Sequence, residues 1–220
     1  MLSVNNLSVS YGERQNAVAS VSFDLAEGES AALIGRNGAG KTTLLLALAG
    51  VLEPSGGEIS VDGAVFDKKT RRDLRLKTGL VFQNPDDQLF MPSIYDDVAF
   101  GPRNMGLPED GTREHAEDAL ARLGIAHLAS RSPLRLSGGE KRLAAIATVL
   151  SMAPEYILLD EPTAFLDPRA RRALSAILSG LPQGKLIATH DIPFAESTCH
   201  RVLLMKDGGI IADGGAEILR

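Results

Sequence analysis

An α/β fold built on a mostly parallel sheet is what this sequence predicts, and two observations carry the prediction. Strand-like apolar runs alternate with helix-like stretches, the order expected of a sheet covered by helices. Residues 156–159 form a continuous apolar run ending in Asp160-Glu161, as expected of a parallel strand buried on both faces that delivers carboxylates at its exit. The 220 residues suffice for one large domain, or a core with an inserted lobe, around a substantial apolar interior. With 44% hydrophobic and 23% charged residues, the composition argues against long disorder, collagen-like repeats and a disulfide scaffold.

Taken in order, residues 4–11, 19–25 and 30–34 read as strands, and 35–40 as a glycine-rich turn into a helix from 41 to about 49. Residues 58–65 alternate as a short strand pair around Asp62-Gly63, and 79–83 is a further strand. Between 84 and 135, Pro85, Pro92, Pro102, Pro108 and Pro133 break the pattern into short pieces around one helix, roughly 112–123, the makings of a separate helical lobe. From 138 to 152, Leu143, Ile146, Ala147 and Leu150 recur at three- and four-residue steps, so one helical face is expected to be buried.

Charge and special residues narrow the function. A net charge of -5 gives no overall electrostatic reason to bind nucleic acid. The basic run at residues 68–77 has no aromatic platform interleaved for stacking bases, and reads as a solvated helical face. Cys199, the only cysteine, excludes an internal disulfide and, beside His200, does not make a zinc site; it reads as a packed side chain. His115 and His127 lack partners at metal-ligand spacing and read as structural. The N-terminus lacks the basic start and apolar run of a signal peptide, so a cytoplasmic protein is expected. The most apolar stretch, residues 143–159, is interrupted by Pro154 and Glu155 and is too short and polar to span a bilayer, so any membrane role is borrowed from partners.

Three stretches carry chemistry. Gly35-Arg36-Asn37-Gly38-Ala39-Gly40-Lys41-Thr42 matches the P-loop pattern between a strand and a helix. Its glycines let successive N–H groups turn toward phosphate oxygens, and the helix start adds its positive dipole end. Lys41 is placed to reach the β- and γ-phosphates, and the Thr42 hydroxyl to ligate Mg²⁺. Asp160 then arrives toward the metal, while Glu161 lies one residue further, free to act as general base on water. An acidic pair after a strand is, alone, more often a helix cap; the P-loop upstream reverses that reading. In Leu136-Ser137-Gly138-Gly139-Glu140, Ser137 and Glu140 have capping-box spacing, and two glycines leave the next helix's first turn bare, a second N-terminus able to hold an anion.

Together these motifs, in this order, make the chain resemble the nucleotide-binding subunits of ABC transporters over essentially its whole length. The resemblance implies a P-loop NTPase core of the ABC ATPase kind with an N-terminal antiparallel β region and an inserted α-helical subdomain. A single ABC ATPase domain spanning residues 1–220 would then divide into a RecA-like core at 1–83 and 153–220 and a helical subdomain at about 84–152. It implies ATP and Mg²⁺ as cofactors, with Tyr11 stacking on adenine and Gly35, Asn37, Gly38, Ala39, Gly40, Lys41, Thr42 and Thr43 holding the triphosphate. It further implies that Gln83 touches Mg²⁺ and water, that Asp160 is the metal carboxylate and Glu161 the base, and that His190 is the switch histidine. Ser137, Gly138 and Gly139 would form the signature, and Asp167 would close the loop 164–167 at the nucleotide. Two departures stand out: Glu140 replaces the commoner glutamine, adding negative charge near an anion site, and Phe165 stands in that loop where alanine is commoner. The family arrangement pairs the signature of one subunit with ATP on another, so a homodimer or heterodimer is expected.

A longer match, residues 81–90 followed by Asp96-Asp97-Val98-Ala99-Phe100-Gly101-Pro102, is similar to the ATPases of energy-coupling-factor importers. Those work with a transmembrane coupling protein and a substrate-binding membrane subunit. The resemblance therefore implies a peripheral protein on the cytoplasmic side of the membrane, moving cobalt or nickel, with a vitamin as the alternative cargo. Asp86 and Asp87 are expected to pair with arginines of the coupling protein. A soluble ABC ATPase acting on DNA or ribosomes is the rival, but it calls for heptad arms or a second cassette, and neither is in this sequence. A GTPase is disfavoured because no Asn-Lys-x-Asp guanine reader is found, and a kinase because it would not explain Leu136-Ser137-Gly138-Gly139-Glu140 or His190.

Overall fold

The computed structural model describes residues 1–11 and 14–219. Strands β1 (Leu2–Tyr11), β2 (Arg14–Leu25), β4 (Gly56–Val61) and β5 (Ala64–Phe66) form an antiparallel sheet in the order β2-β1-β4-β5. In β1 the apolar spacing steps from Val4 to Leu7, which would turn Leu7 outward in a regular strand. A register shift there, with Asn6 at φ 48°, absorbs the extra residue, and Leu7 and Val9 are buried again.

The second sheet is β10-β9-β3-β8-β7-β6, made of β3 (Ser30–Ile34), β6 (Thr78–Val81), β7 (Tyr156–Asp160), β8 (Gly184–Thr189), β9 (Arg201–Lys206) and β10 (Gly209–Gly214). All pairings are parallel except the β9–β10 hairpin at one edge. Every residue of β3, β7 and β8 is buried, which explains why these strands show no polar alternation. Their register pairs Ile34 with Thr189 and Asp160 with Ala188, so Gly35, Glu161 and His190 all emerge at one carboxyl edge. Ligands of open α/β sheets bind at such an edge.

Two apolar clusters cover this sheet. Leu158 joins Leu33 and Leu203 in a core shared with the antiparallel sheet and helix α1 (Lys41–Leu48). Its neighbours Ile157 and Leu159 face the other way, into a core shared with helices α3 (Ile94–Met105), α4 (Glu109–Arg122), α5 (Gly138–Leu150), α6 (Pro168–Gly180) and α7 (Ile192–Thr198).

Several sequence expectations need correction. The proline-broken stretch holds two helices, not one, because α3 continues through Pro102. A proline there cannot donate to the carbonyl of Val98; the buried Ser151 hydroxyl donates to it instead, at 2.7 Å. Helix α5 is buried nearly all round, since it runs between the lobe and the sheet. The basic run is not simply solvated. Its helix α2 (Arg71–Lys77) buries Leu74, Arg75 donates to the Gly50 carbonyl, and Arg71 and Lys77 pair with Glu53 and Glu155. His115 does take a structural role, with Nδ1 2.8 Å from the Ser151 carbonyl oxygen. Cys199 is packed, and burial pushes its thiol pKa up to about 12.

Candidate active site

The turn after β3 is shaped by close backbone approach. A Cβ on Gly35 would sit 2.5 Å from the Met205 carbonyl oxygen, and one on Gly40 2.3 Å from that of Ala17. Gly40 also holds φ at 108°, so glycine is required there on two counts. Helix α1 starts immediately after it without a side-chain cap. The first turn therefore offers its N–H groups and dipole end to a ligand rather than to its own chain.

A cleft of about 340 Å³ opens at this turn, lined by Asn37, Gly38, Gly40, Lys41, Thr42, Thr43, Gln83, Asp160, Glu161 and His190. Lys41 is buried, and its ammonium is solvated by the carbonyl of Gly35 at 2.7 Å and that of Arg36 at 3.5 Å. The Thr42 hydroxyl donates to Asp160 Oδ2 at 2.8 Å, tying α1 to the end of β7. Burial pushes the Asp160 carboxyl above its ordinary pKa of 3.8, opposed by the Thr42 hydrogen bond and reinforced by the adjacent Glu161 charge. Two neighbouring buried carboxylates of this kind attract a cation. The Asp160 carboxylate, Thr42 hydroxyl and Gln83 carboxamide are oxygen donors of the sort Mg²⁺ takes together with phosphate oxygens.

Glu161 has the most constrained position. Its backbone sits at φ 44°, its N–H donates to the Ala188 carbonyl at 2.8 Å, and its carboxylate lies between Lys41 Nζ at 3.8 Å and His190 Nδ1 at 2.9 Å. Left-handed backbone on a non-glycine residue stores strain, which the Ala188 bond and the Thr163-Ala164 turn hold in place. The carboxylate is buried while the histidine is exposed, so His190 reaches Glu161 from the solvent side.

The remaining candidates stand apart from this cleft. Gly35 and Ala39 face the adjoining pocket beside β9. Tyr11 is exposed at the end of β1. Ser137 caps α5 through a complete capping box, its N–H and hydroxyl both donating to Glu140 Oε2 at 2.8 and 2.7 Å. Those bonds lower the Glu140 pKa. Asp167 caps α6 by accepting from the Ala170 N–H at 2.8 Å. Phe165, at φ 64°, is 90% exposed, and its carbonyl oxygen lies 4.0 Å from where a Gly138 Cβ would sit, so this loop and the Ser137 turn share one surface. Asp86 already has a partner: its carboxylate accepts from Lys141 on α5 at 2.6 Å, while Asp87 accepts from Asn84 at 3.3 Å.

The family model for ABC transporters matches residues 18–164. The chain belongs to the ABC transporter family. A putative ABC transporter ATP-binding protein of Geobacter sulfurreducens is 45% identical over 97% of this chain and 86% of its own length. The energy-coupling factor transporter ATP-binding protein EcfA of Methanothermobacter thermautotrophicus is 42% identical over 97% of this chain and 70% of its own. Among solved structures, CbiO1 of Clostridium perfringens, part of the ABC transporter complex CbiONQ, superposes with a TM-score of 0.89 at 40% identity, covering 99% of this chain and 89% of that one. The protein is thus an ABC ATPase that binds and hydrolyses ATP. Among its described residues no helix is long and apolar enough to cross a membrane.

Sequence reasoning missed one residue of this ABC ATPase's site region. Arg142 on α5 is 1% exposed and donates to the carbonyls of Phe82 and Gln83 at 2.7 and 2.6 Å. Its signal was present: an arginine three and four residues before Ala145 and Ile146 sits on a face that is otherwise apolar.

Proposed function

We propose that this ATPase is the motor subunit of an energy-coupling-factor importer, taking up cobalt or nickel, and that it works as a head-to-tail pair. The observation that carries the reading is the contrast between a built cleft and a capped, exposed turn that lies outside it. The cleft gathers a lysine, a buried carboxylate pair and a histidine around one helix start, while Ser137, Gly138 and Gly139 lie outside its lining. In the paired form, the Ser137 turn of one copy closes over the phosphates in the cleft of the other. Charge-assisted hydrogen bonds of about 1.5–3 kcal/mol each then exist only while ATP is present. The relatives named EcfA and CbiO1 support the importer reading, and the run at residues 81–102 supports it from the sequence.

Within the cleft, Lys41 and the first turn of α1 bind the β- and γ-phosphates, and Tyr11 stacks on the base. Thr42, Asp160 and Gln83 would hold Mg²⁺, which when bound neutralises phosphate charge during transfer. Glu161 accepts a proton from the attacking water at Oε1, the oxygen nearer Lys41, because Oε2 is held by His190. His190 thereby fixes the aim of the base, and Asp167 shapes the loop that meets the partner copy. Residues 84–152 form the helical subdomain against a core of 1–83 and 153–220. Asp87 and Asp86 receive arginines of the membrane coupling protein; those at Asp86 must displace Lys141. The protein then sits peripherally on the cytoplasmic side of the membrane.

The pairing is tested by sedimentation of a Glu161→Gln variant, which binds ATP without turning it over. Saturating Mg·ATP should convert it to dimer, and removal of nucleotide should return monomer. A variant that stays monomeric overturns the paired reading. Uptake of radiolabelled cobalt or nickel by the assembled complex tests the cargo, and accumulation of a vitamin instead would reassign it.

A further inference from the structure

Arg142 is buried yet keeps a charge. Burial pulls its pKa down to about 10, Asp160 supplies the compensating pull, and its Nε has no hydrogen-bond partner. Buried charges are retained at a penalty that an apolar side chain of similar volume avoids. What the guanidinium supplies and an apolar residue cannot is a two-point grip. Its Nη1 and Nη2 hold two successive carbonyls, those of Phe82 and Gln83, just past the end of β6, where ladder hydrogen bonding has stopped. The same segment is held a second time. The Phe82 N–H donates to Gln88 Oε1 at 3.1 Å, and Gln88 Nε2 donates to the Ala145 carbonyl and to the Thr148 hydroxyl at 2.8 and 2.7 Å. Both grips come from α5, the helix that begins in the Ser137 turn.

We infer that Arg142 is a positioning residue: it fixes the Gln83 peptide against α5, so that Gln83 in one cleft and the Ser137 turn offered to the other cleft move as one piece. Loss of the grip leaves the nucleotide contacts of Lys41 and α1 intact but lets Gln83 wander, which slows the chemical step more than it weakens binding. The inference rests on the proposed role of Gln83 at the metal and water.

Basal ATP hydrolysis by the purified full chain tests it with Arg142→Lys, Gln83→Ala and the double variant. Lysine keeps the charge but reaches one carbonyl, not two. Arg142→Lys should lower kcat about tenfold with KM for ATP within about twofold, Gln83→Ala should lower kcat by at least as much, and the double variant should match Gln83→Ala within about twofold. Independent effects that multiply in the double variant, or an Arg142→Lys protein with wild-type kcat, overturn the strut while leaving Gln83 its role. A Gln83→Ala protein with wild-type kcat overturns both. Should Arg142→Lys fail to fold, Arg142→Gln, which donates to one carbonyl without burying a charge, is read by the same ratios.

Discussion

Helices α1 and α5 both begin in glycine-rich turns, yet they treat their first N–H groups in opposite ways. The start of α1 has no side-chain cap and lies in a walled cleft, whereas the start of α5 is closed by its own Ser137–Glu140 box and is open to solvent. A bare, enclosed N-terminus is an anion site that one chain completes by itself. A capped, exposed one folds without any ligand, its Ser137 donors already taken by the Glu140 carboxylate. The first region is therefore a binding site in its own right, and in the proposed pair the second is half of one.

The largest effect should come from the enclosed region. Glu161→Gln removes the proposed base and should reduce kcat by about 10²–10⁴ with ATP still bound, measured by single-turnover hydrolysis. Glu161→Gln with ordinary turnover would mean that the water is activated elsewhere. The open region is probed by Gly138→Asp, since a Cβ at Gly138 meets only the Phe165 carbonyl at 4.0 Å and folding should be spared. A carboxylate there repels a phosphate, and turnover should drop about 10²-fold while nucleotide affinity of the monomer stays within about twofold. If monomer affinity falls as steeply as turnover, the two helix starts serve one cleft and the contrast dissolves.

Smaller effects sharpen the comparison. Glu140→Gln removes a charge from the open turn without removing the acceptor for Ser137, and should tighten ATP-driven pairing by about threefold. Asp160→Asn should raise the melting temperature of the nucleotide-free protein at pH 7. The folded state holds the Asp160 proton more tightly than the unfolded chain, so stability is lost as pH rises from 3.8 through the elevated value. The gain should accordingly vanish near pH 3.5, below that window. An asparagine variant that is less stable at pH 7 would show that the Thr42 bond outweighs the burial of the carboxylate.

Local chemistry was legible in the sequence because it is written contiguously. The turn at 35–40, the apolar run into Asp160-Glu161 and the Ser137–Glu140 spacing each carry their own signal within a few residues. What escaped depends on contacts across the fold. Helix α3 was hidden because Pro102 reads as a terminator until Ser151, far along the chain, is seen to answer the orphaned carbonyl. Arg142 reads as one more polar residue until its two acceptors beyond β6 come into view. The cations of α2 look solvated because Glu53 and Glu155 lie elsewhere in sequence. The bulge at Asn6 was likewise invisible to a strict two-residue period.

The proline and serine that meet inside the helical lobe bind two distant positions to a shared history. A lineage in which residue 102 acquires an amide proton makes the hydroxyl at 151 dispensable to Val98, and that site can then drift toward alanine. Taken in the other order, losing the hydroxyl first strands the Val98 carbonyl inside the protein, a defect of about 1–3 kcal/mol. Substitutions at 102 and 151 should therefore accumulate in a fixed sequence.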